Sequence, residues 1–231
     1  MHFLKRIASY AQYPGVYQSE VRQLRKAQKE SNFSALWRYL EGSSLSDIIQ
    51  KRAELKCFLT VLEKQSLAVV LEIGTGQGGT LLYWAWVSAR DAEIITVDLH
   101  HGPFGGGHRR SQAWVFKKFA RQPQRIRFVR GDSHNPQTHD RVKKLLRGRG
   151  VDLLFIDGDH SHEGVQSDYR LYGPLVRPSG IIAFHDIVPA PYESGVGVPM
   201  FWQELKKHAP VHEIVEDWNQ GGFGIGWFTK S

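Results

Sequence analysis

The run Ala68-Val-Val-Leu-Glu72-Ile-Gly74-Thr-Gly76-Gln-Gly78-Gly79-Thr80, continued by the apolar stretch Leu81 to Val87, decides how the other residues of the 231-residue chain are read. A short apolar run, a cluster of glycines and a second apolar run follow the order strand, tight turn, helix. Glycine permits positive φ and lets a ligand come close to the backbone. The free N–H groups and dipole at a helix start suit a polar or anionic ligand. Gly74, Gly76 and Gly79 satisfy G-x-G-x-x-G, and Asp98, closing the next apolar run Glu93-Ile-Ile-Thr-Val-Asp98, follows about twenty residues on.

That fingerprint holds either a dinucleotide or S-adenosylmethionine. Glu72 favours the second ligand, because a carboxylate there repels a pyrophosphate and attracts the ammonium of a methionine moiety. A glycine turn with no ligand is the remaining reading.

Downstream the chain alternates strand and helix, with strands at 68–73, 93–98, 126–130, 151–156 and 180–185. Val211 to Val215 and Phe223 to Phe228 follow, joined by a turn too short for a crossover, so they run antiparallel. The predicted fold is α/β and Rossmann-like: a mostly parallel seven-stranded sheet with a reversed last strand and helices on both faces. Ligands in such sheets lie beyond the carboxyl ends of the strands, beside the first strand. Glu72, Asp98, Asp132, Asp157 and His185 all fall at those ends.

Residues 1–65 read as a helical extension and 66–231 as the main domain. Ser19 to Glu30 is helix-prone, and Phe33, Leu36, Trp37 and Leu40 have helical spacing. Ser46-Asp47 is predicted to open a longer helix with Ile48, Ile49, Leu55, Phe58, Leu59 and Leu62 along one side. The apolar face of the earlier 33–40 segment must dock on the main domain or on a second subunit, the latter giving a homo-oligomer.

The formal charge of +7 comes without a nucleic-acid motif or interleaved aromatic and basic residues. It reads as solvated surface, with an anionic substrate or partner as the alternative. The single cysteine, Cys57, excludes an internal disulfide and fits a reducing compartment. It lies on an apolar helical stripe and is placed in the core. The first residues lack an apolar signal region, and no stretch reaches the ~18 apolar residues a membrane span needs. A cytoplasmic location is expected.

Two further stretches carry chemistry: Val151-Asp-Leu-Leu-Phe-Ile-Asp157-Gly-Asp159-His160-Ser-His162-Glu163 and Arg177-Pro-Ser-Gly-Ile-Ile-Ala-Phe-His185-Asp186. With the glycine turn they resemble class I S-adenosylmethionine-dependent methyltransferases of the branch with Ile-Asp-Gly-x-His-Ser and Gly-x-x-x-x-His-Asp signatures. That branch includes cephalosporin-hydroxylase-like and macrolide-sugar O-methyltransferases. The resemblance covers about residues 66–228, Val198 to Lys206 included. It implies S-adenosylmethionine as cofactor and a small hydroxylated acceptor, a sugar or a natural product.

Carried over by position, Gly74, Gly76, Gly78 and Asp157 line the cofactor and Glu72 takes its amine. Asp98 accepts both ribose hydroxyls, and Asp132 meets the adenine amino group. The resemblance also implies a metal held by Asp157 with His185 and Asp186, twenty-eight and twenty-nine residues on. Such a cation, Mg²⁺ or Mn²⁺, binds two acceptor oxygens and lowers a hydroxyl pKa. Imidazole suits Mn²⁺ better than Mg²⁺, and His185 has an alternative role touching substrate. His160 stands where sugar O-methyltransferases place a general base, its other reading being a helix cap. His162 is placed at the surface. Gly102 to Arg110, with His100 and His101 beside it, reads equally as a lid or a linker. Two rival functions remain open, an NAD-dependent oxidoreductase and a non-catalytic nucleotide-binding module.

Overall fold

The structure, a computed structural model, describes residues 14–99, 107–108, 110–191 and 194–231. Three helices come first: α1 (Pro14–Glu30), α2 (Phe33–Gly42) and α3 (Arg52–Leu62). Strand and helix then alternate through β1 (Val69–Ile73), α4 (Gly79–Val87), β2 (Glu93–Asp98), α5 (Arg110–Phe116), β3 (Arg125–Arg130), α6 (Pro136–Leu146), β4 (Val151–Ile156) and α7 (His162–Tyr172). The chain closes with β5 (Val176–His185), α8 (Val198–Leu205), β6 (His212–Ile214) and β7 (Ile225–Thr229).

The seven strands form one sheet in the order β3-β2-β1-β4-β5-β7-β6. Every neighbouring pair from β3 to β5 is parallel, and β7 runs antiparallel to both β5 and β6. The predicted architecture and the reversed last strand are therefore observed. Every residue of β1, β2 and β4 is buried, as expected for strands covered on both faces. Side chains alternate between the faces with the period of two that a pleated strand imposes. Val70, Leu153 and Phe155 point to the core under α1 to α5, while Leu71, Leu154 and Ile156 point to the core under α6 to α8. Strand order reverses at β1, which opens a crevice between its neighbours β2 and β4.

The first helices dock on the chain's own sheet. Leu24 of α1, Leu36 and Leu40 of α2 and Phe58 of α3 share a core with Trp84 and Phe116. The Phe33 ring stacks on Tyr83 at 5.1 Å.

Two local readings change. The helix expected from Ser46 begins only at Arg52, and the preceding residues are extended across the glycine turn. Asp47 pairs with Gly78 as an isolated parallel bridge, its N–H donating to the Gln77 carbonyl at 3.3 Å. Ile48 then lies on Gly79, and Ile49, assigned to the apolar stripe, is 64% exposed. Cys57 is exposed as well, because α3 presents Phe58 and Leu62 to the core and Cys57 to the opposite side.

The lid-or-linker segment lies mostly outside the described residues, as do His100 and His101. Of its described residues, Gly107 donates its N–H to Asp98, and the buried His108 ring lies between Phe116 and Phe128. Among the described residues no helix is long and apolar enough to cross a membrane.

Candidate active site

Two clefts open at the carboxyl ends of the parallel strands. The first, about 200 Å³, lies over β1 and β2 and is lined by Gly74, Gly76, Asp98, Leu99, Asp132, His134, Asp157 and His160 among others. Gly74 has φ +95, and a Cβ there would stand 1.9 Å from the Asp157 carbonyl oxygen, so only glycine lets the two loops touch. Gly76, at φ +48, has open space where a Cβ would be, leaving its backbone bare to the cleft. Gly78 serves otherwise. It caps α4 in the left-handed conformation and faces the Phe116 ring, and it lines neither cleft.

Asp98 is 8% exposed at the cleft floor, where its Oδ2 accepts the N–H groups of Gly76 (3.1 Å) and Gly107 (3.0 Å). Burial pushes its pKa up to about 6, although backbone donors pull the other way. Asp132 also borders the cleft, is largely exposed, and accepts the His134 N–H at 2.8 Å. The bare glycine backbone, the buried carboxylate and the apolar Leu99 fit a nucleoside with a polar tail.

Glu72 differs from expectation. It is fully buried, lines neither cleft, and accepts hydrogen bonds from Thr80 Oγ1 (2.5 Å), Trp84 Nε1 (2.7 Å) and Thr96 Oγ1 (2.8 Å). Burial raises its pKa to about 7 despite those donors. Its partners are core groups, and the structure does not bring it to the cleft with Asp98.

The second cleft, about 290 Å³, lies over β4 and β5. It is lined by Asp47 to Gln50, by Asp157, His160, His185 and Asp186, and by Gly221, Gly222 and Phe223. Among the described residues its lining carries no lysine or arginine. Gly74, Gly76, Asp157 and His160 border both clefts, which therefore meet at those residues.

A network of acids and imidazoles fills the junction. His160 Nδ1 is 2.8 Å from Asp186 Oδ2, and its Nε2 is 3.6 Å from Asp157 Oδ1. His185 Nδ1 is 3.1 Å from Asp157 Oδ1 and 3.3 Å from Asp186 Oδ1. Burial alone would lower both histidine pKa values, but the two carboxylates raise them, that of His185 to about 9. Burial would raise the Asp186 pKa, yet the facing imidazoles hold it down to about 2. The helix-cap reading of His160 fails, since Ser161 caps α7 by accepting the Gly164 N–H. His162 lies at the edge of the surface. It is half-buried, with Nε2 3.2 Å from Glu204.

Asp157, His160 and Asp186 can bring one ligand atom each within 4.8 Å of one another, close enough to share a cation. The imidazole in that group is His160, where sequence spacing pointed to His185. His185 is 4% exposed beneath the cluster, and its Nε2 is buried with no partner among the described residues.

Residues 71–187, about half of the chain, match the family described as Methyltransferase domain. The chain belongs to that family. Its fold recurs in solved O-methyltransferases. The solved O-methyltransferase from Bacillus cereus, in complex with SAH, is 16% identical with a TM-score of 0.57, over 91% of each chain. The MycE methyltransferase of the mycinamycin biosynthetic pathway, in complex with Mg, SAH and mycinamycin VI, is 16% identical with a TM-score of 0.52, over 90% of this chain and 54% of that one. An uncharacterized protein of Acanthamoeba polyphaga mimivirus is 49% identical over 125 residues, 54% of this chain and 53% of that protein. The chain thus spans about half the length of this curated relative.

Sequence reasoning missed two residues of this methyltransferase's junction. Gln50 donates Nε2 to Asp157 Oδ2 at 3.1 Å, and Phe223 donates its N–H to Asp186 Oδ1 at 2.9 Å. Nothing in the pattern marked Gln50. Gly221 and Gly222 read as the end of a turn and Phe223 and Gly224 as the start of the last strand, which begins only at Ile225.

Proposed function

We propose that this methyltransferase moves the methyl group of S-adenosylmethionine, bound in the first cleft, to a hydroxyl of a small acceptor in the second. The observation that carries this reading is the meeting of the two clefts at Gly74, Gly76, Asp157 and His160. Gly74 and Gly76 bare their backbone to the cofactor's tail, Asp98 receives the ribose hydroxyls, and Asp132 borders the adenine end. When bound, S-adenosylmethionine supplies an electrophilic methyl carbon. The lining of the second cleft fits an uncharged, hydroxylated molecule such as a sugar or natural product better than an anion. It sets the three carboxylates of Asp47, Asp157 and Asp186 beside two imidazoles and carries no lysine or arginine among the described residues.

His160 takes the acceptor's proton. Asp186 accepts from Nδ1 and fixes the ring, which leaves Nε2 directed at the junction. His185, wedged between both carboxylates, steadies the pair from below.

A second reading places a cation on Asp157, His160 and Asp186, supported by their closeness and by the Mg in the MycE complex. Two carboxylates and one imidazole suit Mn²⁺ better than Mg²⁺. The cation would supply Lewis acidity to the acceptor oxygens. The two readings compete for His160, since a nitrogen bound to metal cannot take a proton.

Side-by-side calorimetry with S-adenosylmethionine and NAD tests the cofactor, and only the former should bind. Methyl transfer is then screened over a panel of sugars, glycosides and phenols. On the best acceptor, His160→Ala should lower kcat ~10²–10⁴-fold with cofactor affinity little changed, while His162→Ala stays near normal. A chelator separates the readings. Activity lost in chelator and restored by Mn²⁺ supports the cation, and full activity in chelator removes it.

A further inference from the structure

The second cleft has a wall that the active-site residues do not hold up by themselves. The loop between β6 and β7 supplies Gly221, Gly222 and Phe223 to it. Its backbone is contorted: Gly221, Gly222, Phe223 and Gly224 have φ of +75, +117, +64 and +82. Positive φ at Phe223 is costly for a residue with a side chain, and such a conformation persists only where the surroundings dictate it.

Beside the Val188 N–H, which donates to the Phe223 carbonyl at 2.9 Å, one carboxylate holds the loop. Glu54, in the first turn of α3, is 2% exposed. Its Oε1 accepts the Glu216 N–H (3.0 Å) and Gln220 Nε2 (2.8 Å), and its Oε2 accepts the Gly224 N–H (2.9 Å). Both ends of the loop and a side chain from its middle thus converge on a buried acid. Gln220 Nε2 also bonds the Gly222 carbonyl at 2.9 Å, passing the restraint to the wall. At the rim, Lys51 Nζ reaches Glu216 at 3.1 Å. From the far side of the loop, the Phe223 N–H holds Asp186, itself at φ +61, and Asp186 holds His160. Charge-assisted hydrogen bonds are the stronger kind, and a buried acid with several donors is a fixed point.

We propose that Glu54 is a positioning residue for methyl transfer: it anchors the 216–224 loop as a wall of the acceptor cleft and, through Phe223, sets Asp186 against His160. The segment before β1 then completes the site twice, directly through Asp47 to Gln50 and indirectly through Glu54. This rests on the second cleft being the acceptor site.

The test is Glu54→Gln, which keeps the size of the side chain but replaces one acceptor oxygen by a donor facing N–H groups. Hydrogen exchange should be at least tenfold faster at the amides of Glu216, Phe223 and Gly224, with β1 to β5 unchanged. At fixed pH the ring nitrogen signals of His160, assigned by loss in His160→Asn, should move. Affinity for S-adenosylmethionine should stay within threefold. A folded variant whose loop amides remain protected overturns the anchor, and released amides with unmoved His160 signals overturn the positioning role. If Glu54→Gln does not fold, Gln220→Ala decides, removing one donor and leaving the acid. It should shift the same amides and ring signals in the same direction, and no shift overturns the proposal. Neither measurement contains an acceptor, so a failure of the acceptor reading shows separately, as an unchanged kcat in His160→Ala.

Discussion

Replacing Asp98 with asparagine separates the carboxylate's charge from its shape. In the free protein Oδ2 already accepts the N–H groups of Gly76 and Gly107, and an asparagine oxygen can keep both. What asparagine cannot keep is a charged acceptor for two ribose hydroxyls. A hydrogen bond to a charged group is worth about 1.5–3 kcal/mol and a neutral one about 0.5–1.5, so each hydroxyl loses about 1 kcal/mol. Two such losses weaken S-adenosylmethionine binding about 30-fold. Asp98→Ala should lose more and also destabilise the glycine turn, by stripping two backbone donors of their acceptor. Calorimetry across pH supplies the decisive comparison. Burial has raised the Asp98 pKa to about 6, so wild-type affinity should fall as pH drops below that value and protons compete for the carboxylate. The asparagine variant should be flat over the same range. If it binds within threefold of wild type at pH 8, Asp98 does not receive the ribose, and the cofactor assignment of the first cleft is refuted.

Other perturbations test separate parts of the same scheme. Gly74→Ala places a methyl group 1.9 Å from the Asp157 carbonyl oxygen at φ +95, so cofactor binding should be lost by calorimetry and the melting temperature lowered. His134 lies 3.2 Å from the fully buried Asp168, whose hydrogen bond raises the histidine pKa to about 9. Its contribution to stability is complete below about pH 6.5, the unfolded value, and is lost as pH rises through 9; His134→Gln should flatten the melting temperature over that window. Glu72 has a raised pKa, so its folded state prefers the proton and wild-type stability declines from about pH 4.5 to 7. Glu72→Gln should therefore melt higher than wild type at pH 8, with the gap closing toward pH 4.5 and cofactor affinity within threefold.

The central strands were readable because strands buried on both faces are written as mainly apolar runs, β1, β2 and β4 each closing at the glycine or acid that starts a loop. β3, with Arg125, Arg127 and Arg130, was legible only from Ile126, Phe128 and Val129. The order of chemistry-bearing residues along the strand ends followed from the same runs. What escaped was held by backbone. Ile48 and Ile49 have helical spacing with Leu55 and Phe58, yet the Asp47 N–H donates to Gln77 and the segment stays extended. A backbone bridge leaves no mark in side-chain periodicity. Glu54 was invisible for a related reason. An acid in the first turn of a helix is ordinary in sequence, and only the fold shows that its partners come from a loop more than 160 residues later.

Glu72 shows where strand parity outranks local sequence. It was read toward the cofactor because it stands two residues before Gly74. In a pleated strand, though, alternate residues share a face, and Val70 lies in the core beneath α4. Glu72 must point the same way, under Thr80 and Trp84, which lie one helical turn apart on α4. A carboxylate there cannot reach the cleft without abandoning three donors. With Glu72 turned away its charge no longer argues against a dinucleotide, and an acid at the Asp98 position suits the ribose of either cofactor, so the side-by-side calorimetry decides between them. The acid under the glycine turn instead fixes the start of α4, tying β1, β2 and that helix together through Thr96, Thr80 and Trp84. The turn is thereby held from below at Glu72, while Gly74 is held from the side by the Asp157 loop. Both restraints converge on the glycines that border the two clefts.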